Sequence, residues 1–202
     1  RDTGTTTVNY KVTNPNYEDE TGTYNCVVNN ADFTVTKPTN HLSYNGASEG
    51  AGTAQTCPGV TVTNLKGSQT ATVKYGTTSG TYGDNSPRTI TNAGNTTVYY
   101  QVTAANHNTQ TGSYTCYLDK VNCPITVKEG STTLTSTSVV SLTYPTAKTL
   151  TATSSCSNAV TLSSGDTTYI TVSGKTLTPV KVTSSDLTMT ASVAATTNFN
   201  SA

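Results

Sequence analysis

One stretch of this chain is spelled twice. Gly4-Thr5-Thr6-Thr7-Val8-Asn9-Tyr10-Lys11-Val12-Thr13 returns ninety residues later as Gly94-Asn95-Thr96-Thr97-Val98-Tyr99-Tyr100-Gln101-Val102-Thr103, and the match runs on without a gap from Thr21–Cys26 to Thr111–Cys116. A second offset, of one hundred residues, relates His41-Leu42-Ser43-Tyr44 to Ser141-Leu142-Thr143-Tyr144, with Cys57 thirteen and Cys156 twelve residues beyond. Near the end, Val193–Asn200 echoes Val102–Asn108. A period of this size is that of one β-sandwich module of about 100 residues. The chain therefore divides into 1–31, the C-terminal part of a first module; 32–121, a complete module; and 122–202, a third module lacking its last strand. The missing parts are expected from outside, either from the continuation of a longer tandem chain or from a neighbouring subunit.

Local pattern agrees with an all-β chain. Val8, Tyr10 and Val12 alternate with Asn9, Lys11 and Thr13, and Val98, Tyr100 and Val102 repeat the alternation, so these residues are expected to face a core. Further strands are expected over Val60–Thr63, Ala71–Tyr75, Ser113–Leu118, Ile125–Lys128, Lys148–Thr153, Tyr169–Val172, Lys175–Val180 and Leu187–Val193. Clusters such as Gly80–Pro87 between them read as turns. Thr abounds and Trp is absent, a composition of strand formers rather than helix formers. Charged residues make up 11% of the chain and balance to a net charge of zero, with no basic stripe to neutralise phosphates, so a nucleic-acid partner is not expected. No apolar run is long enough for a membrane-spanning helix.

Three segments carry a family resemblance. Tyr75–Gly80, Ile90–Gly94 and Val98–Ala104 resemble the bacterial immunoglobulin-like repeats of large surface proteins. Leu142–Lys148, Thr171–Val180 and Ala194–Asn200 are similar to the group 2 branch of that superfamily. The resemblance implies tandem immunoglobulin-like antiparallel β-sandwich modules. It also implies a non-enzymatic structural or adhesive array, a stalk or filament subunit on a microbial cell surface, needing no cofactor. The alternatives are a surface module that binds a glycan or host protein, and a phage virion fibre or tail decoration.

The side chains that could carry chemistry are few. His41 and His107 are the only imidazoles and both fall in expected loops, His107 where the repeated spelling has Tyr17 and Phe199, so no catalytic triad is expected. Glu18-Asp19-Glu20 reads as a solvated turn rather than a calcium site, because consecutive carboxylates alternate in direction and the matching Asn108-Thr109-Gln110 is uncharged. None of the cysteine spacings is that of a zinc site, so no metal is expected. Cys57 matches Cys156 and Cys116 matches Cys26, which predicts a Cys57–Cys116 disulfide inside the complete module. The same matching leaves Cys26 and Cys156 as candidates for a bond between subunits associated head to tail, and Cys123 unpaired or otherwise employed. Asn95-Thr96-Thr97 is an N-glycosylation sequon. Tyr82, Tyr99 and Tyr117, together with Tyr75, are candidates for an exposed binding surface. Disulfides imply an oxidising compartment, and an extracellular, cell-surface location is expected.

Overall fold

The computed structural model describes residues 2–202. All regular structure among them is β. The strands are β1 (Gly4–Asn14), β2 (Tyr17–Val28), β3 (Thr34–Thr36), β4 (Leu42–Ser43), β5 (Gln55–Thr56), β6 (Thr61–Thr63), β7 (Ala71–Gly76), β8 (Thr89–Ile90) and β9 (Gly94–Ala104). There follow β10 (Gln110–Asp119), β11 (Ile125–Glu129), β12 (Thr132–Thr133), β13 (Lys148–Thr149), β14 (Thr151–Ser154), β15 (Thr161–Ser164), β16 (Ile170–Ser173), β17 (Thr176–Pro179) and β18 (Met189–Ser192). Each strand expected from the sequence has a counterpart here; β7, β10 and β11 run longer than expected and β6, β17 and β18 shorter. The expected Lys148–Thr153 strand is divided at Leu150, whose amide still bonds Lys175 O at 2.9 Å in line with the β13–β17 ladder, while Thr151–Ser154 pairs with β11.

Two compact units make up the chain. One comprises the chain up to Asn40, Thr56–Arg88 and Thr97–Thr115; the other comprises His41–Gln55, Thr89–Thr96 and Cys116–Ala202. The boundaries after residues 31 and 121 drawn from the sequence fall inside these units.

In the first unit, β7 pairs antiparallel with β9 from Ala71↔Ala104 to Gly76↔Tyr99. The alternation read from the sequence decides which face is covered. Val98 and Val102 are fully buried, with Tyr100 and Tyr114 nearly so. Complete burial of a side chain of this size contributes about 1.5–3 kcal/mol. The Tyr75 hydroxyl accepts from Val60 N at 3.2 Å, which makes Tyr75 a core residue and corrects its expected exposure. Tyr114 donates to Pro58 O.

The hairpin β1–β2 has the same spelling and a different fate. Its antiparallel register puts Thr6 opposite Cys26, Val8 opposite Tyr24 and Tyr10 opposite Gly22. Tyr10 lies over Gly22 as Tyr100 lies over Gly112, so closely that a β-carbon on either glycine would stand within 2.6 Å of the tyrosine hydroxyl oxygen. Gly4 and Gly94 both start their strands at positive φ, 151° and 146°, a backbone conformation that glycine takes without steric cost. Yet Tyr10 is 43% exposed and Val12 58%, where Tyr100 and Val102 are 5% and 0%. The expectation that Val8, Tyr10 and Val12 face a core is thus corrected: Val8 is half-buried, and Tyr10 and Val12 are exposed. Glu18-Asp19-Glu20 lies in β2 rather than in a turn, with Asp19 paired to Lys11.

In the second unit, β11 lies between β12 and β14, β17 between β13 and β16, and β15 pairs antiparallel with β18. Its core gathers Tyr44, Leu118, Leu150, Leu162, Leu177, Val193 and Phe199 with the cystine of Cys123 and Cys156. β4 runs parallel to the end of β10, Leu42 beside Leu118.

Candidate functional site

Where function without chemistry is expected, the informative places are those where buried polar groups hold one segment to another. Asn198 is the most complete of these. It is 1% exposed and every polar group of its side chain is used. Its Oδ1 accepts from Ala93 N at 2.7 Å, and its Nδ2 donates to Glu49 Oε1 at 2.7 Å and to Asn92 Oδ1 at 3.2 Å. The other oxygen of Glu49 accepts from Thr196 Oγ1 at 2.7 Å and from Asn198 N at 3.3 Å. Beside this network Val121 bridges to the loop, donating from N to Asn198 O at 3.1 Å and accepting from Asn200 N at 2.9 Å. Phe199 inserts edge-on to Tyr44, ring centroids 5.4 Å apart at 82°. The Tyr44 hydroxyl in turn donates to Ser48 O and accepts from Gly52 N, both at 2.8 Å. The loop that presents Glu49 is tied to the ring that Phe199 packs on.

The other unit contains the same arrangement around Ala31. Ala31 N donates to Asn106 O and Ala31 O accepts from Asn108 N, both at 2.9 Å. Asn106 Oδ1 accepts from Thr3 N at 3.2 Å and its Nδ2 reaches Asp2 Oδ1 at 3.4 Å, as Asn198 does with Ala93 and Asn92. Asn108 Nδ2 donates to Asp32 Oδ1 at 2.8 Å, as Asn200 does to Asn122 at 2.9 Å. Asp2, Thr3, Ala31 and Asp32 stand ninety residues before Asn92, Ala93, Val121 and Asn122. His107 occupies the place of Phe199. It is 7% exposed and tilted against Phe33, with Nδ1 donating to Ala105 O at 2.7 Å and Nε2 accepting from Lys66 N at 3.1 Å. Those two bonds fix one neutral tautomer and leave neither nitrogen for catalysis.

The residues singled out from the sequence are placed as follows. Tyr82 and Tyr99 are half-buried and Asn95 is exposed. Tyr117 is 40% exposed and stacks on His41 at 4.5 Å, and His41 in turn bonds Asp119 at 2.9 Å. Cys57 and Cys116 are both disulfide-bonded. Cys156, expected as the partner of another subunit's Cys26, is joined to Cys123. The cause is local: Ile125 is paired with Ser154 and Ser155 N donates to Pro124 O, which brings the two Cα atoms to 5.4 Å. Cys26 is a free, exposed thiol. Burial pushes the Tyr114 hydroxyl up to about 12, with the nearby Tyr75 hydroxyl adding to the shift, and burial raises Tyr100 as well. No cluster of three or more His, Cys, Asp or Glu side chains among the described residues is arranged to hold a metal, and no helix among them is long and apolar enough to cross a membrane.

Asn106, Asn198 and Glu49 went unnoticed in the sequence. For the two asparagines the signal was present, since each precedes an aromatic or imidazole side chain in the echoed Val102–Asn108 and Val193–Asn200. Glu49 had none, because it acts through a loop distant in sequence. No family model, curated protein or solved structure matches the chain.

Proposed function

We propose that the chain is a run of immunoglobulin-like sandwich modules serving as an extracellular structural array, a stalk or filament segment of a microbial surface structure. The observation that carries this reading is the linker contact made twice in the same way, at Ala31 with Asn106–Asn108 and at Val121 with Asn198–Asn200. A linker tied by the same bonds to the loop of the module that follows it, at both places, is what a run of like modules carries, and no catalytic side chain takes part in it. Four cysteines held in disulfides support an oxidising compartment. The glycan-binding alternative rests on Tyr117 and His41 alone, since Tyr82 and Tyr99 are half-buried.

Small-angle scattering tests the proposal. The wild-type chain is expected to give a narrow distribution of maximum dimension, and the Glu49→Ala, Asn198→Ala double variant a broad one with unchanged strand content by circular dichroism. Equal distributions would remove the role assigned to the junction.

A further inference from the structure

We propose that the groove beside β18 receives an extended strand in β-augmentation, and that a second copy of this chain supplies that strand from β2. The inference rests on the module organisation proposed above.

The groove is an opening of about 850 Å³ in the second unit, lined among others by Leu142, Tyr144, Leu150, Leu162, Leu177 and Met189. One wall is β18. Among the described residues it pairs with β15 alone, so the backbone groups of its other edge are open to a further strand. The opposite wall is the segment through Leu142 and Tyr144, which forms no strand but is held in place where Lys148 Nζ donates to Ser141 O at 2.7 Å.

The complete module shows what such a gap holds. There β7 and β9 stand as β15 and β18 do here, and β10 lies on the far edge of β9 with β4 parallel to its end. Leu42-Ser43-Tyr44, spanning β4, is the counterpart of Leu142-Thr143-Tyr144, and Val102 of β9 is the counterpart of Val193, next after β18. The open position between β18 and Leu142 is thus that of β10, taken only beyond β18, where Val193 N and O both bond Ala202. Tyr44 is 4% exposed and Tyr144 58%.

A strand with the side chains of β10 is available on this same chain. Gly22-Thr23-Tyr24-Asn25-Cys26-Val27-Val28 of β2 matches Gly112-Ser113-Tyr114-Thr115-Cys116-Tyr117-Leu118 of β10. Tyr24 is 57% exposed and Val28 49%, against 7% and 1% for Tyr114 and Leu118. β2 is paired only with β1, and β1 is the counterpart of β18 itself. Donation therefore exchanges one ladder partner for its equivalent. Part of the β1–β2 ladder is given up in the exchange, since β1 has 11 residues and β18 has 4, and the gain is that Tyr24, Val28 and the groove lining leave water. Side chains at alternate positions then read the groove while the main chain supplies the ladder.

The test uses a fluorescent peptide of residues 21–29 carrying Cys26→Ser, titrated into the intact protein. Saturable binding is expected. It should weaken about tenfold or more for a peptide with Tyr24→Asp and Val28→Asp, and for a protein with Val139→Asp and Tyr144→Asp, exposed positions whose change leaves the core intact. No binding, or equal binding of both peptides, overturns donation from a second copy. A chain with residues 108–119 appended after Ala202 separates the two levels of the proposal. If this variant melts at a higher temperature while the free peptide does not bind, the groove takes a strand of its own chain and donation between copies is wrong. If the appended strand leaves the melting temperature unchanged and the peptide fails too, the module organisation itself falls.

Discussion

Asn198 shows how much one buried amide can hold. Its removal strands Ala93 N–H and takes the donor from Glu49 Oε1 and Asn92 Oδ1, at a place where Asn198 itself is sealed from water; Glu49 Oε2 keeps Thr196 Oγ1 and the backbone N of residue 198. Asn198→Ala is expected to destabilise the chain by about 2–3 kcal/mol, the usual cost of leaving buried polar partners unmade. Thermal or urea unfolding measures it. Asn106 makes the same kind of contacts at longer distances and sits at φ 60°. There Asn106→Ala costs about 1 kcal/mol, mostly in left-handed backbone that asparagine tolerates and alanine does not. At alkaline pH the tyrosines decide. Tyr114 is shifted upward to about 12, so its neutral form is the one the fold favours. That stabilisation is fully present below the ordinary tyrosine value near 10 and is lost as pH rises through the folded value. Spectrophotometric titration should show Tyr114 ionising later than the exposed tyrosines, and Tyr114→Phe should remove the late step.

At the scale of the element, the comparison of β1–β2 with β9–β10 separates what pattern can state from what it cannot. Alternation marked which residues of β1 and β9 share a face, so those two strands were legible in residues 4–13 and 94–103; the register that puts Tyr10 opposite Gly22 carried no such mark. Whether a face is covered depends on elements distant in the chain, and Val12 and Val102 carry no local mark of that difference. Cys123 was illegible for a similar reason: matching cysteine to cysteine by spacing supplied Cys156 with a distant partner, while the pairing of β11 with β14 brings a nearer one to it. An isolated two-stranded hairpin is marginally stable in water. Amides of β1–β2 are accordingly expected to exchange with deuterium well before those of β9–β10, although the two ladders are spelled alike. Equal protection would mean that a partner covers β1–β2 in solution.

For the whole molecule, the cysteines set a limit on covalent assembly. A head-to-tail polymer linked by disulfides needs two reactive thiols per chain, one for each neighbour. With Cys57 and Cys116 disulfide-bonded and Cys123 joined to Cys156, the described residues retain one free thiol, Cys26. A single thiol can link two chains and no more, so disulfides from the described cysteines cannot carry a polymer beyond a pair. Native protein treated with iodoacetamide should take up one label, at Cys26. Untreated protein under mild oxidation should run on non-reducing electrophoresis as monomer and dimer, without a ladder, and Cys26→Ser should abolish the dimer. The Cys123–Cys156 bond closes a loop of 33 residues. Replacing both cysteines by alanine is expected to cost about 3–4 kcal/mol in the chain-entropy model without producing any new cross-link. A ladder in the wild-type protein would require a second reactive cysteine, and the first place to look for it would be a rearrangement that releases Cys156 to the Cys26 of another chain.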